Sequence, residues 1–474
     1  MKQYLVSAAA FAFFIFAAAG TQAQQVITTY AGIQGNVGYT GDGGPASAAT
    51  FNNPSDIIID PSGNLYIADF VDNVVRKINT TTGIITTVAG NGAGAGTIAG
   101  GGYSGDGGPA TAASLNGPFA LALDNSGNLY VADGYNSVVR KVSPAGIITA
   151  FAGNHTASYS GDGGPATAAN LNNPVGLAVD KNGNVFIADN HNNVIRKVDV
   201  ATGIISTVAG SVAAGSTGDG GPATSARLSL PLAVAFDTAG NMFIADAHNN
   251  AIRKVDKAGM ISTYAGGTYL SGYTGDGGAA TAATLDTPQR ISFDDSNNLY
   301  ISDVYNNVIR KVNNLTGIIT TYAGDGTGAG TIPAAGSYGG DDSVPTKAQL
   351  YFPHGIAFDH SGKAYIADRG NNVVRKIGPP SLIDHSLAGL LNGTATQFIV
   401  YPNPARTGTV TIALVSDRTE QVSVTITNVL GQQIHELVIP TNKATSLKLD
   451  APAGMYFISA TTATAKWTKQ LVVE

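Results

Sequence analysis

The sequence predicts an all-β protein: a six-bladed β-propeller followed by a smaller antiparallel β-sandwich of Ig-like type. Three observations carry that expectation. A 16-residue stretch, YTGDGGPASAATFNNP at 39–54, returns at 103–118, 159–174, 216–231, 273–288 and, degraded, at 338–353. After each copy comes a second motif, first as NLYIADFVDNVVRKI (64–78), whose aspartates Asp69, Asp133, Asp189, Asp246, Asp303 and Asp368 stand 64, 56, 57, 57 and 65 residues apart. The composition fits many tight turns between buried strands: 60 glycines and 43% hydrophobic residues with only 12% charged.

The N-terminus comes first. Residues 1–23 read as a secretory signal peptide, with one early lysine, an apolar run from Tyr4 to Ala19 and small residues before a cleavage point after Ala23. The apolar run is short for a membrane span. The chain has no cysteine, so neither disulfides nor thiolates contribute to stability or chemistry. A net charge of -6 and the even spread of six Arg-Lys pairs, one per repeat, speak against nucleic acid as a partner.

Within one repeat, alternation and turn signals give four short strands: Asp56 to Asp60, Leu65 to Asp69, Val74 to Ile78 and Ile84 to Ala89. Gly63, Gly127, Gly183, Gly240, Asn297 and Gly362 occupy the first turn, where a left-handed residue closes a hairpin. Four strands repeated six times make a propeller. The sixth repeat ends after Ile377 without a fourth strand, whereas Val26 to Gly32 (VITTYAG) copies that missing strand. The N-terminal strand is therefore expected to complete blade six and remove an open edge. Residues 24–378 form this propeller and 379–397 a linker.

These motifs resemble the NHL repeat family of six-bladed propellers, in its extracellular bacterial form with GDGGPATAA connectors and IADxxNNxIRKV blades. The resemblance implies the fold. It implies for function only the range of that family, from binding of protein, RNA or glycan to lyase activity.

From 398 to 474 the rhythm changes to short strands such as VTIAL (410–414), QVSVTITNV (421–429), SLKLD (446–450) and MYFISA (455–460), about seven in all. Tyr401-Pro402-Asn403-Pro404, Asn428-Val429-Leu430-Gly431-Gln432, Pro452-Ala453-Gly454-Met455-Tyr456 and Lys469-Gln470-Leu471-Val472-Val473 resemble the type A C-terminal sorting domain of type IX secretion in Bacteroidota. That resemblance implies export through the periplasm to the outside or the cell surface, and the type IX machinery as a partner of 398–474.

The glycine-rich connector invites a chemical interpretation, which its residues do not support. A phosphate loop lacks the aspartate found here and has a GK[ST] end that is missing. A calcium loop needs several oxygen side chains, and each copy offers one sure carboxylate. As architecture every position fits: glycines turn the backbone, the aspartate accepts from nearby N–H groups, and Pro45, Pro109, Pro165 and Pro222 suit the first position of a one-turn helix.

Function is expected where copies differ, on the face that holds both the connector end and the turn between strands two and three. After the connector proline, blades two to four carry Phe119-Ala120, Val175-Gly176 and Leu232-Ala233, against Gln289-Arg290, His354-Gly355 and Ser55-Asp56 on blades five, six and one. Two residues past each IAD aspartate stand Val71, Tyr135, His191, His248, Tyr305 and Gly370. The expected binding residues are thus Ser55, Asp56, Gln289, Arg290, His354, Tyr135, His191, His248 and Tyr305, for a protein or glycan ligand of a monomeric scaffold. No cofactor or metal is expected, since histidines on neighbouring blades stand too far apart to share an ion, and His191, His248 and His354 would need three blades to converge. The enzyme alternative is a lyase or hydrolase in the channel mouth, with Arg290 holding an anion and His354 carrying a proton opposite Asp56. No glutamate precedes Glu420, which removes paired-glutamate glycosidase chemistry, and no GxSxG elbow is present.

Overall fold

The computed structural model describes residues 25–267, 269–330, 336–379, 397–401, 409–415, 420–441, 445–449, 451–462 and 465–473. Residues 1–23, expected to be a signal peptide, and nearly all of 379–397, expected to be a linker, lie outside them. The chain divides into two compact units, one over the repeats and one over the C-terminal strands.

The repeats form six four-stranded antiparallel sheets. In blade one the strands are Pro54–Ile59, Leu65–Asp69, Val74–Asn79 and Ile84–Ala89. The innermost strands pack side by side around an axis, and that of blade one meets that of blade six, Pro353–Phe358, so the ring is closed. Val26–Ala31 pairs antiparallel with Val373–Gly378 as the outer strand of blade six, which removes the open edge. Gly63 (φ 84°) and its counterparts adopt the left-handed conformation, and Asn297 (φ 63°), able to hydrogen-bond locally, does so in blade five.

Each conserved polar letter of the repeat has a bond to make. The IAD aspartates, all buried, accept a main-chain N–H from the connector's end: Asn52 to Asp69 at 2.7 Å, Asn172 to Asp189 at 2.7 Å and Tyr351 to Asp368 at 2.8 Å. Two polar residues follow, asparagines except for Asp72 in blade one and Ser137 in blade two; in blades two to six the first donates to this carboxylate, as Asn192 does to Asp189 at 2.8 Å. The second, left-handed at its backbone, accepts from the next blade; Asn53 N–H to Asn372 Oδ1, 2.8 Å, makes that link across the junction between blades six and one.

Six arginines (Arg76, Arg140, Arg196, Arg253, Arg310 and Arg375) are wholly buried, each between its IAD aspartate and the aspartate of the GDGG connector. In blade three Arg196 lies 2.7 Å from Asp162 and 3.4 Å from Asp189, with the Tyr159 ring 5.0 Å from the guanidinium. The connector's other contact is with its blade's outer strand. Gly43 N–H bonds Ile85 O, Ile85 N–H bonds Gly44 O, and Pro45 bridges Ile84; Pro109, Pro165, Pro222 and Ala279 repeat that bridge. The motif therefore caps a sheet edge that would otherwise offer free N–H and C=O groups. Pro45, Pro109, Pro165 and Pro222 are one position off the sequence expectation: with ψ of 129° to 134° they precede the 3-10 turn, which begins at the following alanine.

Among the described residues the C-terminal unit has seven strands in two antiparallel sheets. One contains Gln397–Tyr401, Thr409–Val415 and Thr445–Lys448, the other Gln433–Pro440, Gln421–Asn428, Gly454–Thr461 and Lys466–Val473. Alternate residues Val410, Ile412 and Leu414, Val422, Val424 and Ile426, and Tyr456, Ile458 and Ala460 form its core, the pattern of strands buried on one face.

Candidate functional site

A β-bulge follows each connector proline. In blades one to five the register slips by one residue there (Pro54 opposes Asp69, then Asp56 opposes Ala68), and in blade six both His354 and Gly355 fall inside the irregularity. A bulge re-aims one side chain and takes a carbonyl out of the ladder. Repeated around the ring, it brings main-chain carbonyls towards the axis.

Arg290 fills that ring. Its Nη1 donates to Leu232 O at 2.7 Å, and its Nη2 donates to Phe119 O at 2.6 Å and Val175 O at 2.9 Å. Its Nε lies 3.5 Å from Asp56 Oδ1, while Asp56 also accepts from Leu121 N–H at 2.9 Å and Ile57 N–H at 3.0 Å. One side chain from blade five thus ties blades two, three and four together and neutralises the carboxylate of blade one. Ser55 Oγ turns inward to Pro118 O and Phe119 O, at 3.2 and 3.1 Å.

Behind this plug the channel widens into a cavity of ≈ 260 Å³, lined by Ile57, Leu121, Leu177, Val234, Ile291 and Ile356 and reaching Phe293 and Phe358 at the strand ends away from the mouth. Of the side chains that line it only those of Asp56, Arg290 and Ser292 are polar, and main-chain groups supply further polar surface.

On the mouth side lies Arg369, the first residue of the turn after Asp368. Its Nη1 donates to His354 Nε2 at 2.9 Å, and its guanidinium lies 5.0 Å from the Phe70 ring and 5.7 Å from Phe119. A guanidinium can only donate, so Nε2 accepts and the imidazole proton sits on Nδ1, towards the Ser55 main chain but without a hydrogen bond of good geometry. Burial, then the charges of Arg369 and Arg290, hold the His354 pKa well below the usual value, so the ring is neutral. Arg369 is part-exposed and has no carboxylate partner among the described residues. Burial and the nearby Arg290 push its pKa down to about 10, against the opposing pull of the Tyr135 and Tyr305 phenols. Tyr135 reaches this cluster through Phe70, whose ring lies 5.8 Å from the Tyr135 ring and 5.0 Å from the Arg369 guanidinium.

The nine expected residues divide into two groups. Asp56, Arg290 and His354 do come together, with Ser55 beside them, yet all four are buried and bonded internally. Arg290 directs its donors to main-chain carbonyls, and His354 Nε2, where a catalytic proton would be exchanged, is held by Arg369. Tyr135, His191 and His248 are exposed and Tyr305 and Gln289 part-exposed on the same face. The aromatic rings do not form a row along four blades: Tyr135 packs on Phe70 (5.8 Å between centroids) and Tyr305 on Phe352 (5.6 Å). Among the described residues no three His, Asp or Glu side chains stand close enough to hold a metal ion, and His354 lies below the surface that exposes His191 and His248.

Sequence comparison of the copies missed Arg369 because it used the wrong column. One residue past the IAD aspartate the copies read Phe70, Gly134, Asn190, Ala247, Val304 and Arg369, and the arginine is the only charged member.

Comparison with known proteins bears on both units. Residues 399–474 match the family described as secretion system C-terminal sorting domain, and residues 99–160, 154–217 and 212–274 each match the teneurin NHL domain. Mouse (Mus musculus) teneurin-1 is 28% identical over 235 residues, which is 46% of this chain and 8% of that protein. Bovine (Bos taurus) NHL repeat-containing protein 2 is 25% identical over 306 residues, 58% of this chain and 41% of that one. The chain thus spans less than half the length of these relatives. Among solved structures, an auxiliary nutrient binding protein from Bacteroides ovatus superposes with a TM-score of 0.54 at 18% identity, covering 76% of this chain and 78% of that one. The chain carries NHL repeats in a β-propeller and a type IX sorting domain, as the resemblances in its sequence implied.

Proposed function

We propose that this NHL-repeat propeller, exported with a type IX sorting domain, is a binding scaffold at the cell surface or outside the cell. It takes a protein or glycan ligand on the connector face around Arg369. The observation that carries this is the contrast in neutralisation: each of the six repeat arginines has two carboxylates, whereas Arg369, at the mouth, has none among the described residues. A part-exposed cation held by aromatic rings and a neutral imidazole is arranged for something that arrives from solvent. That a propeller of the same fold is called a nutrient binding protein supports a binding role. The lyase or hydrolase alternative has less support, because His354 and Arg290 are already engaged.

A glycan and peptide binding screen with the purified protein, repeated with the Tyr135→Ala/Tyr305→Ala/Arg369→Gln variant, tests the site. Loss of the captured ligand in the variant supports it, and equal capture refutes it. For the export route, deleting 398–474 is expected to leave the propeller in the periplasm; delivery of the truncated chain to the surface refutes that role for the C-terminal unit.

A further inference from the structure

We infer that the mouth binds the carboxylate of an acidic sugar, a uronate unit, with Arg369 as the anion-holding residue and Tyr135 and Tyr305 as the ring-contacting ones. This rests on the connector face being the binding face. The guanidinium lies against Phe70 and Phe119, which cover it with hydrocarbon, and gives one of its five N–H groups to His354. Among the described residues its Nη2, and its Nε, which is buried, have no protein partner. Donors in a fixed planar fork beside a low-dielectric wall suit a planar carboxylate held through two parallel bonds.

Charge selects within the anions. Arg290 is matched by Asp56 and His354 is neutral, so Arg369 is the cation of this cluster that has no carboxylate partner among the described residues. A singly charged carboxylate balances it, whereas a phosphate dianion leaves an excess negative charge in a half-buried place. The tyrosines point to a sugar. Tyr135 is 44% exposed and packs on the Phe70 ring that covers Arg369, Tyr305 is part-exposed on the neighbouring blade five, and each offers an apolar ring face and a hydroxyl, the two surfaces that a sugar ring presents in return.

Calorimetric titration of the full chain with tetragalacturonate, the matching neutral tetragalactoside, a tetraglutamate peptide and inorganic phosphate tests this. Tetragalacturonate is expected to bind best, with Kd raised roughly ten- to hundredfold in Arg369→Gln, the range for a lost hydrogen bond to a charged group. Arg369→Lys, which keeps the charge without the fork, is expected to fall between. Equal binding of the neutral sugar overturns the carboxylate, and loss of that binding in Tyr135→Ala/Tyr305→Ala still leaves the connector face in place. Tighter binding of tetraglutamate or phosphate overturns the sugar. Unchanged tetragalacturonate affinity in Arg369→Gln, or no binding of it by the parent protein, overturns the inference whole.

Discussion

Arg196, inside blade three, lies between Asp162 and Asp189 with no exposed surface, whereas Arg369, at the mouth, is surrounded by Phe70, Phe119 and the neutral ring of His354. The first environment is built six times and the second once. In the repeated layer a buried arginine serves the fold, joining connector to blade, and its neutralisation is complete. At the mouth the charge is left open, and the arginine is close to solvent. Arg290 belongs to neither class: it is unrepeated like Arg369, but its donors go to carbonyls freed by the bulges, so it acts as a strut. The three together show that an unusual residue at a variable position need not face a ligand.

Substitution should separate these roles. Arg196→Met is expected to have the largest effect, about 3 to 5 kcal/mol of unfolding free energy in urea, because Asp189 is left buried without its cation. A cost below about 1 kcal/mol would show that the clamp is not a structural unit. Arg290→Met comes next, at about 2 to 3 kcal/mol, since the freed carbonyls lie along a channel that water can enter. Its signature is that Asp56→Asn recovers part of the loss in the double variant; strict additivity of the two changes would break the proposed strut.

The pH dependence of stability follows from the same aspartates. Burial pushes Asp133 and Asp303 up to about 7, and Asp189, Asp246 and Asp368 up to about 6, against the opposing hydrogen bonds and arginine charge. Between the ordinary carboxylate pKa and these raised values the folded state holds more protons than the unfolded one, so stability falls as pH rises through that window. The connector aspartates run the other way. Burial raises Asp162 and Asp219 too, but the Thr207 and Thr263 hydroxyls and the paired arginines win and lower them, so their stabilisation is lost as pH falls below the ordinary range. The melting temperature is therefore expected to rise from about pH 7.5 to about pH 5 and to drop again below about pH 4. A flat profile would mean that the buried carboxylates are ionised throughout. The smallest stability effect is expected for Arg369→Gln, within about 0.5 kcal/mol, because the change removes one hydrogen bond and an unpaired charge together. A loss comparable with that of Arg196→Met would place Arg369 with the clamps.

Legibility in the sequence follows repetition. Pattern alone marks Leu65–Asp69 and Ile84–Ala89 to the residue, and the turn glycine at Gly63 with its substitute Asn297, because alternation and left-handed turns are local constraints. The closing strand Val26–Ala31 is equally plain, as a copy of something absent elsewhere. The mouth is less plain. Difference between copies points to the blades that meet there and brings Asp56, Arg290 and His354 into view as neighbours, but it does not tell a strut from a ligand contact. Gln289, Tyr135 and Tyr305 reach the surface while Arg290 and His354 do not, though all five stand in variable columns.

The sequence by itself determined the number of blades, their strands and the strand that closes the ring, since each depends on periods of two residues or of about 57 that the chain carries in its own order, while the C-terminal unit was marked by the resemblance of its motifs to a known family. Only the tertiary structure decided what the single-copy side chains do. The bulge that turns carbonyls to the axis, the arginine that takes them, and the arginine left with no acid beside it are relations among blades, and no one repeat contains them.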